Sequence, residues 1–155
     1  MYNLLAIAFT TAVLSAVWSG LSVSIGLFTW AGFLGCTSYF ASPDGTFRGL
    51  MVSLMTNLSG VFWALSILAL SPMMPSPVFG HLITGLVAFM MCVQARLSWL
   101  AYIPGTFIGA CATFASDGSW AVVVPSLMVG GGFGFMMKRS GLWLQARHAQ
   151  RRSDE

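Results

Sequence analysis

Residues 30–42, WAGFLGCTSYFAS, return seventy-four residues later as residues 104–116, PGTFIGACATFAS, and this pair decides how the chain is organised. At that constant offset Phe33 meets Phe107, Gly35 meets Gly109, and Phe40-Ala41-Ser42 meets Phe114-Ala115-Ser116. The correspondence extends outward without a gap, pairing Thr10 with Thr84, Val13 with Val87, Ser24 with Ser98 and Gly60 with Gly134. The chain is two copies of one unit. In a membrane protein, internal symmetry of this kind points to a transport pathway at the repeat interface.

The membrane follows from composition. Of 155 residues, 57% are hydrophobic and 7% charged, and the mean hydropathy is +0.81. Soluble proteins carry about 25% charged residues. The chain is therefore expected to be an all-α integral membrane protein in contact with a lipid bilayer, with no room for a soluble domain. No basic stretch precedes the first apolar segment, which reads as a retained helix and not a cleaved signal peptide.

Six apolar segments are predicted, at about 3–18, 22–40, 49–70, 78–93 and 98–115, with the sixth ending near Met137. Ser19-Gly20 is read as a tight turn between the first two. Ser42-Pro43-Asp44-Gly45 and Ser116-Asp117-Gly118-Ser119 are read as the later turns. The three prolines of Pro72 to Pro77 cannot continue a helix and form the link between repeats. Residues 1–137 make one transmembrane domain, with repeat one at about 3–70 and repeat two at about 78–137, and residues 138–155 make a basic tail.

On this map Arg48, Arg96, Lys138, Arg139, Arg147, Arg151 and Arg152 all fall on one side. The positive-inside rule makes that side the cytoplasm, with both termini inside a bacterial inner membrane. Three helices per copy is an odd number, so the second copy is inserted upside down: an inverted 3+3 repeat. Much of the net charge of +3 lies in the tail, which is expected to contact the anionic inner leaflet through its basic residues and Leu142-Trp143-Leu144. Without a basic folded module, nucleic-acid binding is not expected.

The chemistry of the helix interiors excludes more than it offers. They hold no Asp, Glu, Lys or Arg, so acid–base catalysis and proton coupling lack their usual groups, and no enzyme, cofactor or metal is implied. Cys36, Cys92 and Cys111 have no metal-ligand spacing and read as small packing residues. His81 is a candidate pH gate, against the commoner reading of an interfacial hydrogen-bonding residue; His148 lies in the tail.

Asn57 is the informative polar residue. It sits near mid-bilayer in the third segment with Thr56 and Ser59 beside it, and an exposed carboxamide there is costly. Its counterpart is Gly131, within Gly130-Gly131-Gly132. Pro104 and Pro125 are expected to interrupt the fifth and sixth helices. Asn57, Thr56, Ser59, Pro104 and the Gly130–Gly132 backbone, with Phe33, Phe107, Phe40 and Phe114 as apolar walls, form the candidate solute pathway. The competing reading makes Asn57 an interhelical clasp and the glycines a packing seam.

The stretches Gly32 to Ala41, Asn57-Leu58-Ser59-Gly60, Ile103 to Gly109 and Phe114-Ala115 resemble the small bacterial inner-membrane proteins catalogued as domain of unknown function 1097. That resemblance covers nearly the whole chain to about Lys138 and implies a bacterial cytoplasmic membrane protein, with no activity to carry over. A looser architectural likeness is to urea-channel-type proteins with inverted repeats. The expectation is a channel or facilitator for a small neutral or weakly polar solute, assembled as a dimer or trimer. The alternative is a non-transporting accessory or scaffold protein.

Overall fold

The computed structural model describes residues 2–153, with side chains described at 5–76 and 78–147. It contains the helices α1 (Tyr2–Ser24), α2 (Thr29–Ala41), α3 (Phe47–Leu70), α4 (Pro77–Val93), α5 (Ile103–Phe114) and α6 (Trp120–Ser153). Short 3-10 turns at Ser71–Met73 and Gln94–Arg96 flank α4. Among the described residues, four helices are long and apolar enough to cross a membrane, over Leu5–Ser24, Phe47–Met73, Val78–Arg96 and Trp120–Arg147. Helices α2 and α5 have 13 and 12 residues, about 20 and 18 Å at 1.5 Å per residue, shorter than a hydrocarbon core of about 30 Å. The described residues are thus all-helical in class, with four long apolar helices and two shorter ones.

Three expected boundaries move. Helix α1 runs straight through Ser19-Gly20, because a backbone in an apolar surround keeps its internal hydrogen bonds whatever the propensity of one glycine. The chain breaks instead after Ser24, where Gly26 takes a φ of +70°, a conformation glycine adopts without strain. Helix α5 begins at Ile103, so Pro104 lies in its first turn, where no intrahelical bond is lost and no kink arises. Helix α6 carries Pro125 inside it and continues through Ser140-Gly141 to Ser153. Gly141 packs against Ile7 and Thr10 of α1, and the Ser140 hydroxyl donates back to the Met136 and Met137 carbonyls. The tail therefore extends α6 as one helix. The side chains of His148, Arg151 and Arg152 lie outside the described residues.

The helices pack across the two copies. The most extensive pairings are α2 with α6, α3 with α5, and α1 with α6, so each short helix lies on the third helix of the other copy. Small residues make this possible. A methyl at Gly60 would overlap the Thr106 carbonyl, one at Gly109 the Asn57 carbonyl, one at Gly130 the Gly32 carbonyl, and one at Gly35 the Leu127 carbonyl. Gly105 and Gly109, like Gly130 and Gly134, are four apart and share one helix face, the spacing of a close membrane seam.

Residue pairs along the seams fix relative directions. Phe28 lies beside Ser126, Gly32 beside Gly130 and Cys36 beside Gly134, so α2 and α6 run parallel. Gly105 lies beside Thr56, Gly109 beside Asn57, and Ala110 beside Gly60, so α3 and α5 run parallel. Helix α1 opposes α6, with Ile7 at Gly141 and the Thr10 hydroxyl donating to the Met137 carbonyl at 3.2 Å. Helix α4 opposes α3, with Gly80 near Ser71 and Gln94 at Ser59 and Trp63.

The apolar core lies where α3, α5 and α6 meet, at Val61, Ala112, Val123 and Leu127. Trp18 covers Gly32, packs its ring 5.5 Å from Phe133, and donates its indole N–H to the Thr29 carbonyl at 3.0 Å. Cys36 is buried beside Gly134, whereas Cys92 and Cys111 are exposed, so only the first packs in the interior. His81 is exposed on α4.

Candidate functional site

Helix α3 presents Ser53, Thr56, Asn57 and Gly60 at the spacing i, i+3, i+4, i+7, which places all four on one face. That face is turned inward: Ser53 and Thr56 are 0% exposed and Asn57 1%. Ser38 of α2, also fully buried, meets it. The Ser38 hydroxyl donates to Asn57 Oδ1 at 2.8 Å and lies 2.7 Å from the Ser53 hydroxyl. A serine has one O–H, so with Ser38 committed to Asn57 it is Ser53 that donates to Ser38. The result is a directed row, Ser53 to Ser38 to Asn57. Asn57 Nδ2, at its end, is buried without a partner among the described residues.

A second row lies between α3, α5 and the turn after α4. Gln94 Oε1 accepts from the Ser59 hydroxyl at 2.7 Å and from Trp63 Nε1 at 2.9 Å, while Gln94 Nε2 donates to Thr106 Oγ1 at 3.1 Å. Thr56 spends its hydroxyl on the Val52 and Ser53 carbonyls and sits against Gly105, where the Tyr102 ring also packs. The Tyr102 hydroxyl is buried and unpaired among the described residues. Two orphaned polar groups thus lie on the α3/α5 side of the molecule.

This polar patch draws on both copies, and the positions related to it by the repeat are apolar or glycine. The counterparts of Ser38, Ser53, Asn57, Thr106 and Gln94 are Ala112, Leu127, Gly131, Gly32 and Gly20. Ala112 and Leu127 belong to the apolar core instead.

Among the residues proposed from sequence, Asn57 and Thr56 are together on the buried face, while Ser59 belongs to the separate row with Gln94 and Thr106. The glycines are arranged differently from expectation. Gly131 lies against Leu54 and Leu50, and Gly130 against Gly32, while a methyl at Gly132 would project into open space with nothing within 4 Å. It is Gly109 of α5 that abuts the Asn57 backbone, because each short helix crosses to the other copy. Phe33, Phe107 and Phe114 are 37%, 41% and 39% exposed on the outer surface, Phe40 is half-buried and Pro104 is exposed. Ser38, Ser53, Gln94, Thr106 and Tyr102 are additions that the sequence reading does not contain. Ser53 carries a signal, one turn before Asn57; Ser38 and Gln94 carry none, since their role depends on helix docking.

One charged end frames the site. Lys138 approaches Gly45 and lies 5.3 Å from the centre of the Tyr39 ring, whose hydroxyl donates to the Gly45 carbonyl at 2.6 Å. Hydrogen bonds from Thr46 hold the Asp44 carboxyl below the usual carboxylate range, helped by Arg48 and Lys138. A groove of about 210 Å³ opens at the same end between Arg48, Met51, Val52, Met55, Ser98 and Trp99, one turn from Thr56. The Asn57 side chain does not line it.

The model of the family described as Protein of unknown function (DUF1097) matches residues 8–142. The chain belongs to that family. It is 55% identical to inner membrane protein YcdZ of Escherichia coli, over 97% of this chain and 93% of the relative. To the protein of that name in Salmonella typhimurium it is 54% identical over 97% and 94%. A more distant relative, uncharacterized protein YahC of Escherichia coli, is 28% identical over 91% and 92%. No solved structure matches the chain. With its apolar helices, these relatives identify an inner-membrane protein of a family without a described function.

Proposed function

We propose that the protein is a six-span facilitator for a small neutral or weakly polar solute. The observation that carries this reading is the unpaired Asn57 Nδ2 at the end of the Ser53–Ser38–Asn57 row. An unsatisfied buried donor costs about 1–3 kcal/mol. A solute carbonyl or hydroxyl arriving there recovers that cost, whereas a purely structural clasp gains nothing by leaving the donor unpaired. The row also polarises the amide, since hydrogen bonds in series strengthen one another.

The inverted arrangement is part of the proposal. Antiparallel α1/α6 and α3/α4 together with parallel α2/α6 and α3/α5 support a reading in which the three helices of one copy run opposite to their counterparts. Both termini and the cations Arg48, Arg96, Lys138, Arg139 and Arg147 then belong to the cytoplasmic face, and the groove beside Arg48 is the inner mouth. Among the described residues no charged side chain bonds to the polar rows, which suits neither catalysis nor ion coupling, and we propose a non-enzymatic role. The exposed Trp30, Phe33 and Phe107 on the short helices supply seams for a homo-oligomer.

The competing reading, a non-transporting scaffold or accessory protein, is favoured by one observation: the seams at Gly60, Gly109 and Gly130 are closed backbone to backbone. Proteoliposome swelling with urea, small amides, glycerol and ammonia separates the two. The transport reading expects at least one solute to cross faster than in protein-free vesicles. Equal rates for the whole panel leave the scaffold reading.

A further inference from the structure

We propose that the groove between α1 and α6 is a binding site for one anionic phospholipid of the leaflet at the charged end. The groove has a volume of about 570 Å³, with Phe9, Val13, Phe135 and Met136 among its apolar walls. Its lining also includes Arg139, Ser140 and Trp143 on the last part of α6. An acyl chain fits the walls and a phosphate fits the guanidinium.

Comparison of the two copies shows that the lining of this groove is particular to one of them. The counterparts of Phe9, Val13, Phe135 and Arg139 are Ile83, Val87, Val61 and Leu65. At the equivalent positions Val87 is 6% exposed and Val61 4%, and Ile83 packs against the buried cluster of Ala64, Val87, Met91 and Ala110. On the α1 side Phe9 is 66% exposed and Val13 48%. The groove on the α1 side thus carries an arginine where the other copy has Leu65. Thr10 and Gly141 hold α1 to α6 along the buried edge, so the groove is built on a fixed seam.

The end of the groove is suited to a phosphate. Arg139 is exposed, with its guanidinium 5.8 Å from the Phe135 ring centre, which lays its stem along the apolar wall and leaves the charge at the mouth. Further along α6, Arg147 lies 4.2 Å from the centre of the Trp143 ring, a cation–π arrangement that keeps a second positive charge near the same mouth. Tryptophan at this position matches the headgroup region of a bilayer. The occupant is thus a lipid that is apolar along α1/α6 and anionic at Arg139, and the site operates whether or not the protein transports a solute.

The test is native mass spectrometry of the full chain released from mild detergent with phosphatidylglycerol or phosphatidylcholine added at equal concentration. Preferential retention of phosphatidylglycerol is expected, reduced about fivefold in Arg139→Gln by loss of one interfacial cation and unchanged in Arg96→Gln, whose cation lies off the groove. Val13→Trp, which fills the groove at a half-exposed position, is expected to lower retention of both lipids while circular dichroism stays at the wild-type signal. Equal retention of the two lipids, or wild-type retention in Arg139→Gln and Val13→Trp, overturns the proposal. So does displacement of phosphatidylglycerol by millimolar inorganic phosphate, which would make the site one for a free anion.

Discussion

The Ser38 hydroxyl on α2 donates to Asn57 Oδ1 on α3 at 2.8 Å, and the other end of the same carboxamide has no partner among the described residues. One buried side chain thereby ties together two helices and keeps a donor in reserve. Replacing Ser38 by Ala removes the bond and leaves both ends of Asn57 unsatisfied. A loss of about 1–3 kcal/mol is expected, read as a lower unfolding midpoint in detergent, whereas Ser66→Ala, on an outward face bonded to its own helix, leaves the midpoint unchanged.

The glycine seams make a graded prediction. Gly60→Val and Gly109→Val force a side chain into a backbone carbonyl of the facing helix, and each is expected to cost at least the roughly 1–3 kcal/mol typical of overpacking. Gly132→Ala meets nothing within 4 Å and gains up to about 1 kcal/mol of helix propensity. Thermal unfolding of the three variants should therefore split, with Gly132→Ala at or above wild type.

Asp44 predicts an acid-sensitive turn. Its folded pKa lies below the unfolded value because the carboxylate accepts from Thr46 and faces Arg48 and Lys138. The stability it contributes is fully present above the unfolded carboxylate pKa, near about 3.9, and is lost as pH falls through the lower folded value. The midpoint difference between wild type and Asp44→Asn should be constant at neutral pH and shrink below about pH 4. A difference that grows on acidification contradicts the assignment.

Much of this architecture is legible in the chain itself. The seventy-four-residue offset recurs as the start of α2 at Thr29 and of α5 at Ile103, and α3 and α4 begin and end within two residues of expectation. Membrane class needs only composition. What escapes is non-local. Gly20 looks like a turn and Gly26 does not, since the difference is which glycine has to adopt a positive φ where α1 meets α2. Gln94 looks like part of a link because its partners Ser59, Trp63 and Thr106 come from two other helices. The repeated aromatics look like pathway walls, yet Phe33 and Phe107 lie outside because the glycines beside them take the inner face.

Orientation is tested by labelling. In a background with Cys36, Cys92 and Cys111 replaced, a single cysteine at Ser76 is expected to react with an impermeant maleimide added to intact cells, and one at Ala146 only after lysis. Labelling of the Ala146 variant from outside contradicts the cytoplasmic placement of the basic end and the six-span reading with it.

The most direct measurement is solute flux through Asn57→Leu in proteoliposomes, set beside its oligomer mass and helical signal. Leucine keeps the number and branching of side-chain heavy atoms and removes the donor together with the acceptor for Ser38, so the account predicts a folded, assembled protein with flux of the responsive solute reduced about fivefold or more, the equivalent of about 1 kcal/mol or more at the site. Unchanged flux in a folded Asn57→Leu protein would show that Asn57 is a packing residue and contradict the central claim.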